Sequence, residues 1–198
     1  MTRIAFCGRM GSGKTTACKY LVEQSKVLNK TSTILSFAQP LKELAYQLFG
    51  YENKSQVFNF GGRTITAREL LQELGNKMRE INPNIWRDLL EKKIKENFQT
   101  ENIFIDDLRF NNEEEMLIKN NFKIVSLVST EEDRMKRMFL RDGVYPEKEL
   151  LHKCGEDTIF KKSVCLIRNQ GIDDYTLEEF YNQLDIFFND IHNKYTVL

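Results

Sequence analysis

Residues 8–15 read GRMGSGKT and fit the spacing G-x-x-x-x-G-K-[ST]. The chemistry of that spacing is phosphate binding. Backbone N–H groups of such a loop, with the N-terminus of the helix behind it, wrap anionic oxygens. Gly8, Arg9, Met10, Gly11, Ser12 and Gly13 would form the cradle, with Thr16 just beyond it. Lys14 would reach the β- and γ-phosphates of a nucleoside triphosphate, and Thr15 would offer a hydroxyl to Mg²⁺. The bland alternative is a Gly-rich turn with a capping lysine. An apolar strand pattern before the loop and a helical one after it favour the phosphate site, because that is the context the motif needs. A second element fits beside it. The stretch NIFIDD ends an apolar run in Asp106 and Asp107, and a carboxylate so placed can hold a metal through water. Asp106 is the metal candidate and Asp107 a catalytic one.

A third candidate lies on TARELLQELGNKMREINPNIW, residues 66–86. Ala67, Leu70, Leu71, Leu74, Met78 and Ile81 follow the spacing of a core-facing helix. At about 100° per residue, Arg68, Gln72, Gly75 and Arg79 form a separate narrow stripe. Two guanidiniums can clamp a phosphate monoester through paired hydrogen bonds. Gln72 can read a base or sugar edge, and Gly75 would let a flat ring approach. Trp86 either stacks on a base or fills core. The stripe's alternative is an exposed helix face with stray arginines.

Arg134, Arg137 and Arg141 share one face of a later helix, followed by the polar run DGVYPEKELLHKCGED. They read as a basic lid over a triphosphate, Arg134 binding ATP and Arg137 and Arg141 at the transferring phosphoryl, with either Arg134 or Arg137 stacking on the adenine. A solvated basic face is the alternative.

These residues need a frame. Strand patterns occupy residues 3–7, 32–37, 102–106, 123–128 and 163–167. Helical patterns fall at about 15–27, 40–49, 67–81, 85–97, 112–119, 131–141 and 177–193. Pro40 suits a first helical turn and Thr130 an N-cap. Strand–helix alternation predicts an α/β fold with a parallel sheet and helices on both faces. One domain is expected: a core of 1–37, 101–141 and 163–198, a helical acceptor-binding insertion at 38–100, and a lid at 142–162.

The 198 residues carry 29 Lys plus Arg against 29 Asp plus Glu. That neutrality argues against a nucleic-acid or membrane-surface binder. Cys7, Cys18, Cys154 and Cys165 contain no C-x-x-C pair and read as reduced thiols. No leader or membrane-spanning run is evident, so a cytoplasmic location is expected.

The set R-x-x-x-Q-x-x-G-x-x-x-R with Trp seven residues on (Arg68, Gln72, Gly75, Arg79, Trp86) resembles the deoxynucleoside monophosphate kinases of bacteriophages and large DNA viruses. DLRFNNE, residues 107–113, is similar to that family's D-[VL]-R-F-x-N-E. NQG, residues 169–171, is similar to its closing N-x-G, and FAQPLK, ending in Lys42, to its F-A-D-P-L-K. Gln39 replaces the Asp of that last motif, LGNK replaces LGTE, and Tyr145–Pro146–Glu147 keeps only its Glu. The resemblance implies a three-layer α/β/α P-loop kinase with a five-stranded parallel sheet of order 2-3-1-4-5. It implies ATP and Mg²⁺, a dNMP as the second substrate, and the infected host's cytoplasm as the setting if the chain is viral. Lys42, Arg68 and Arg79 would serve the acceptor, with Gln72 and Trp86 near its nucleoside. Asp107 and Arg109 would lie between donor and acceptor. A homodimer is compatible with it. The competing readings are another small-molecule kinase, such as a dephospho-CoA or nucleoside kinase, and a non-catalytic nucleotide-binding regulator. D-x-x-G and N-K-x-D motifs of a GTPase do not occur.

Overall fold

Five short apolar runs pair into one parallel sheet: β1 (Thr2–Cys7), β2 (Ser32–Leu35), β5 (Asn102–Leu108), β6 (Lys123–Val128) and β7 (Cys165–Arg168). Their order is β2-β5-β1-β6-β7; counted within this sheet alone it is 2-3-1-4-5. A hairpin, β3 (Val57–Phe60) and β4 (Arg63–Thr66), lies between β2 and β5 in the chain. The computed structural model describes residues 1–143 and 162–194. Most of the expected lid, including Tyr145, Pro146 and Glu147, and also Cys154, lies outside them.

The described chain divides into two compact units, Met1–Leu35 with Phe98–Leu198, and Ser36–Asn97. In the first, α1 (Lys14–Val27) and α7 (Asp174–Lys194) cover one sheet face. Ala17, Cys18 and Leu21 of α1 and Phe180, Leu184 and Phe188 of α7 pack with Ile4, Phe6, Phe104, Val125, Leu127 and Ile167. Alternation along the strands sends Ala5, Ile103, Ile105 and Ile124 to the opposite face, where they are equally buried. Helix α5 (Asn111–Lys119) packs against β6. Helix α6 (Glu131–Asp142) follows β6 and is capped by Thr130, whose hydroxyl accepts from the Asp133 N–H at 3.1 Å.

The second unit is helical with the β3–β4 hairpin attached. It contains α2 (Ala38–Phe49), α3 (Ala67–Ile81) and α4 (Ile85–Glu96). Ala45, Tyr51, Phe58, Ile65, Ala67 and Leu70 form its core. Thr66 and Glu69 build a reciprocal capping box: the Thr66 hydroxyl accepts from the Glu69 N–H at 3.2 Å, and the Glu69 carboxylate accepts from the Thr66 N–H at 2.7 Å.

Several boundaries differ from the sequence reading. β2 stops at Leu35 because the Ser36 hydroxyl accepts from the Ala38 N–H and turns the chain into α2. The last strand shifts to Cys165–Arg168. Helix α7 starts at Asp174, where Asp173 accepts from the Thr176 N–H at 2.8 Å. Ile81, expected on the apolar face of α3, is 79% exposed, being the last residue of the helix. Among the described residues no helix is long and apolar enough to cross a membrane.

Candidate active site

In the first unit the loop from Gly8 to Gly13 joins β1 to α1. Gly8 has φ 140° and Gly13 φ 97°, a region that glycine enters without strain. Space demands it as well: a Cβ on Gly8 would sit 2.4 Å from the Leu127 carbonyl, and one on Gly13 2.4 Å from Asn169 Nδ2. The Ser12 N–H closes back on the Arg9 carbonyl at 3.1 Å. Lys14 Nζ donates to the carbonyls of Gly8 at 2.5 Å and Arg9 at 3.1 Å, which holds the ammonium over the loop. Arg9 and Thr16 are exposed, and Met10 is half-buried.

Helix α1 begins with no side-chain cap and no acidic residue in its first turn. Its leading N–H groups and partial positive charge are therefore not answered by an acid of the helix's own first turn. The Ser12 hydroxyl is fully buried and has no hydrogen-bond partner. Thr15 Oγ1 donates to Asp106 Oδ2 at 2.7 Å. A hydroxyl and a carboxylate at the mouth of an uncapped Gly-rich loop are a donor set suited to a hard divalent cation that keeps waters and phosphate oxygens as its other ligands. Among the described residues no group of three or more His, Cys, Asp or Glu could hold a metal alone.

A bulge shapes the end of β5. Ala5 pairs with Ile105 but Cys7 with Leu108, so β5 carries one extra residue across Asp106 and Asp107. Such an insertion re-aims the side chains beside it. Both carboxylates are half-buried. Their charge is felt in α1: burial first, then Asp106 and Asp107, pushes the buried Cys18 thiol well up, against Lys14. Cys18 is therefore an inert core thiol. Arg109 is half-buried in the turn after β5. Its backbone N–H and that of Phe110 donate to Glu113 at 3.0 and 3.1 Å. Glu113, 3% exposed, thus fixes the turn that carries Arg109. The sequence reading assigned Glu113 no task, although an acid at the third position of a helix is the sign of such a cap.

The three α6 arginines do not form one exposed lid face. Arg134 is 4% exposed, and its Nη1 donates to the Met10 carbonyl at 3.0 Å. Arg137 is half-buried and donates to the Gly11 carbonyl at 3.2 Å. Burial pushes its guanidinium down from the ordinary value, and Asp133 opposes that. Both guanidiniums donate to loop carbonyls and do not stand open on one helix face. Arg141 is exposed and forks onto the adjacent Asp142 carboxylate, with Nε to Oδ1 at 2.7 Å.

In the second unit Arg68, Gln72 and Arg79 are half-buried along α3, and Lys42 is half-buried on α2. Gly75 is buried. A Cβ there would lie 3.1 Å from Leu41 Cδ2, so the missing side chain admits a neighbouring helix rather than a flat ligand ring. Trp86 takes the core alternative: it is 3% exposed and its Nε1–H donates to the Gly75 carbonyl at 3.3 Å. Stacking on a base is thereby corrected. Gln39, standing for the resembled family's Asp, donates to Glu43 at 3.1 Å, and Lys93 donates to the same oxygen at 3.0 Å. Those two bonds, Lys93 first, hold the Glu43 carboxyl below its ordinary range.

Comparison with known proteins adds three findings. The family model described as an AAA domain matches residues 4–157. A protein of Acanthamoeba polyphaga mimivirus, provisionally named a deoxynucleotide monophosphate kinase, is 26% identical over 93% of this chain and 94% of its own. Among solved structures, TT1252 from Thermus thermophilus superposes with a TM-score of 0.57 at 18% identity, over 96% of this chain and 98% of that one. A gluconokinase from Sinorhizobium meliloti 1021 gives 0.55 at 13% identity over 98% and 97%. A shikimate kinase from Acinetobacter baumannii gives 0.51 at 11% over 96% and 94%. The fold is that of P-loop kinases.

Proposed function

We propose that this chain, which belongs to the AAA domain family, is a kinase that moves the γ-phosphoryl group of ATP to a deoxynucleoside 5′-monophosphate. The diphosphate formed would feed dNTP supply. The observation that carries this reading is the polar line on α3. Arg68, Gln72 and Arg79 lie half-buried along one helix in a unit inserted between the second and third strands of a P-loop sheet. Two guanidiniums on one line suit a phosphate monoester better than a neutral sugar or a carbocycle. The name of the mimivirus relative supports the same substrate class.

The acceptor phosphate has a second pKa of about 6, so its attacking oxygen is already anionic near neutral pH. The chain then needs no general base. Its task is to position two phosphates and neutralise charge in a site that excludes water. Loop N–H groups and Lys14 would bind the triphosphate, while Arg68 and Arg79 orient the monophosphate and Gln72 faces its nucleoside. Asp107 and Arg109 would border the transferring group. Thr15, and Asp106 through water, would hold Mg²⁺, which when bound supplies charge neutralisation at phosphate oxygens. A coupled ADP-release assay across the four dNMPs, the four NMPs, a sugar, a nucleoside and dephospho-CoA tests the assignment. Turnover with at least one dNMP is expected; turnover only with a sugar, a nucleoside or dephospho-CoA would refute it.

A further inference from the structure

Three successive carbonyls of the phosphate loop are each held by a side chain from outside the loop. Met10 O accepts from Arg134 Nη1 at 3.0 Å, Gly11 O from Arg137 Nη1 at 3.2 Å, and Ser12 O from Asn169 Nδ2 at 3.0 Å. The braces are themselves joined. Arg137 Nη2 donates to Asn169 Oδ1 at 3.0 Å, to the Asn169 carbonyl at 3.1 Å and to the Gly171 carbonyl at 2.5 Å. Its Nη1 also donates to Ser129 Oγ at 2.9 Å. Asn169 is 6% exposed and its backbone N–H is fixed to the Val128 carbonyl at 2.8 Å.

A trans peptide is planar, with C=O and the following N–H pointing opposite ways. Pulling the Met10 and Ser12 carbonyls back onto α6 and the turn after β7 turns the Gly11 and Gly13 N–H groups to the other side of the loop. That is the side on which an anion nest must present its donors. The geometry points to Arg134, Arg137 and Asn169 as positioning residues of the phosphate cradle. They hold its backbone in the donor-inward conformation before any ligand arrives, and they do not touch the phosphate themselves. A loop so braced binds without first ordering itself. Arg137 is the keystone, because its guanidinium alone reaches the loop, Ser129, Asn169 and Gly171.

This inference rests on the phosphate site proposed above and not on the acceptor. Its test is therefore binding rather than turnover: calorimetric titration of ADP and of inorganic tripolyphosphate into the full chain and its R137Q, N169D and R137Q/N169D variants. Hydrogen bonds of this kind, charge-assisted from the arginines and neutral from Asn169 to Ser12, correspond to a loss of about tenfold in affinity. Each single variant should weaken both ligands by that factor. The double variant should lose little more than the worse single one, because the two residues act through one network. If R137Q does not fold, N169D decides alone. N169D binding both ligands within about twofold of the parent would overturn the proposal. So would R137Q binding normally while turnover collapses, since that would place Arg137 on the reacting phosphoryl. A loss for ADP with tripolyphosphate unchanged would place Asn169 against the adenosine and overturn it as well. A braced chain that binds tripolyphosphate but phosphorylates no dNMP would refute the proposed function and leave this inference standing.

Discussion

The Thr15 hydroxyl donates to the Asp106 carboxylate at 2.7 Å, joining the first turn of α1 to the bulged end of β5. An ionised carboxylate has lone pairs enough to accept that bond and still offer oxygens to metal-bound water. Asp106→Asn keeps the shape and removes the charge. It should lower kcat by about 100-fold and raise the Mg²⁺ concentration needed for half-maximal rate. Binding of ADP without Mg²⁺ should stay within about twofold. A Mg²⁺ titration of rate beside metal-free calorimetry reads both effects; an unchanged Mg²⁺ requirement would remove Asp106 from the metal site.

Arg68 lies on the α3 line, and its guanidinium is assigned to the acceptor phosphate. Arg68→Ala should raise the dNMP KM by about tenfold or more while the ATP KM moves by less than about threefold. Initial-rate kinetics with each substrate varied in turn measure the split. Equal changes in both constants would take Arg68 out of the acceptor site.

Some of this organisation was legible in the sequence because local physics decides it. The α3 bounds follow from Thr66 and Glu69, which cap it reciprocally. The β1–loop–α1 unit follows from glycines that have no alternative at Gly8 and Gly13. The β3–β4 hairpin was legible too and was missed: Gly61 and Gly62, with φ 55° and 93°, join two short alternating runs, a recognised two-residue turn signal. What the sequence could not tell was direction in space. Arg134 and Arg137 share a helix face with Arg141, but only the tertiary fold shows that two of them end on loop carbonyls. Trp86 could stack or fill core on pattern alone, and its bond to the Gly75 carbonyl joins residues eleven apart.

The capping box makes a stability prediction for the second unit. Thr66→Ala removes the acceptor for the Glu69 N–H and half of the reciprocal pair. N-cap losses cost about 1 kcal/mol, which for a chain of this size lowers Tm by about 2–4 °C. Thermal melting followed by circular dichroism checks it. Thr66→Ser should recover most of the loss.

Asp133 makes a pH prediction. The Thr130 hydroxyl, then the Gly171 N–H, and then Arg137 and Lys136 hold its carboxyl below the ordinary value against the effect of burial. A carboxyl depressed in the folded state contributes stability above its unfolded pKa of about 3.9. That contribution is lost as pH falls through the folded value. Asp133→Asn should therefore melt about 1–3 °C below the parent at pH 7. The gap should close progressively below about pH 4. A gap that persists unchanged at pH 2.5 would show that packing, not charge, is responsible.

Transfer of label from [γ-³²P]ATP into a dNDP, in the parent and in Lys14→Ala, tests the central claim most directly. Label should appear in the diphosphate of at least one of the four dNMPs, and Lys14→Ala should reduce it by at least about 100-fold, since Lys14 stands over the loop on the Gly8 and Arg9 carbonyls. Absence of labelled dNDP with all four dNMPs, or equal labelling by the Lys14→Ala variant, would contradict the account.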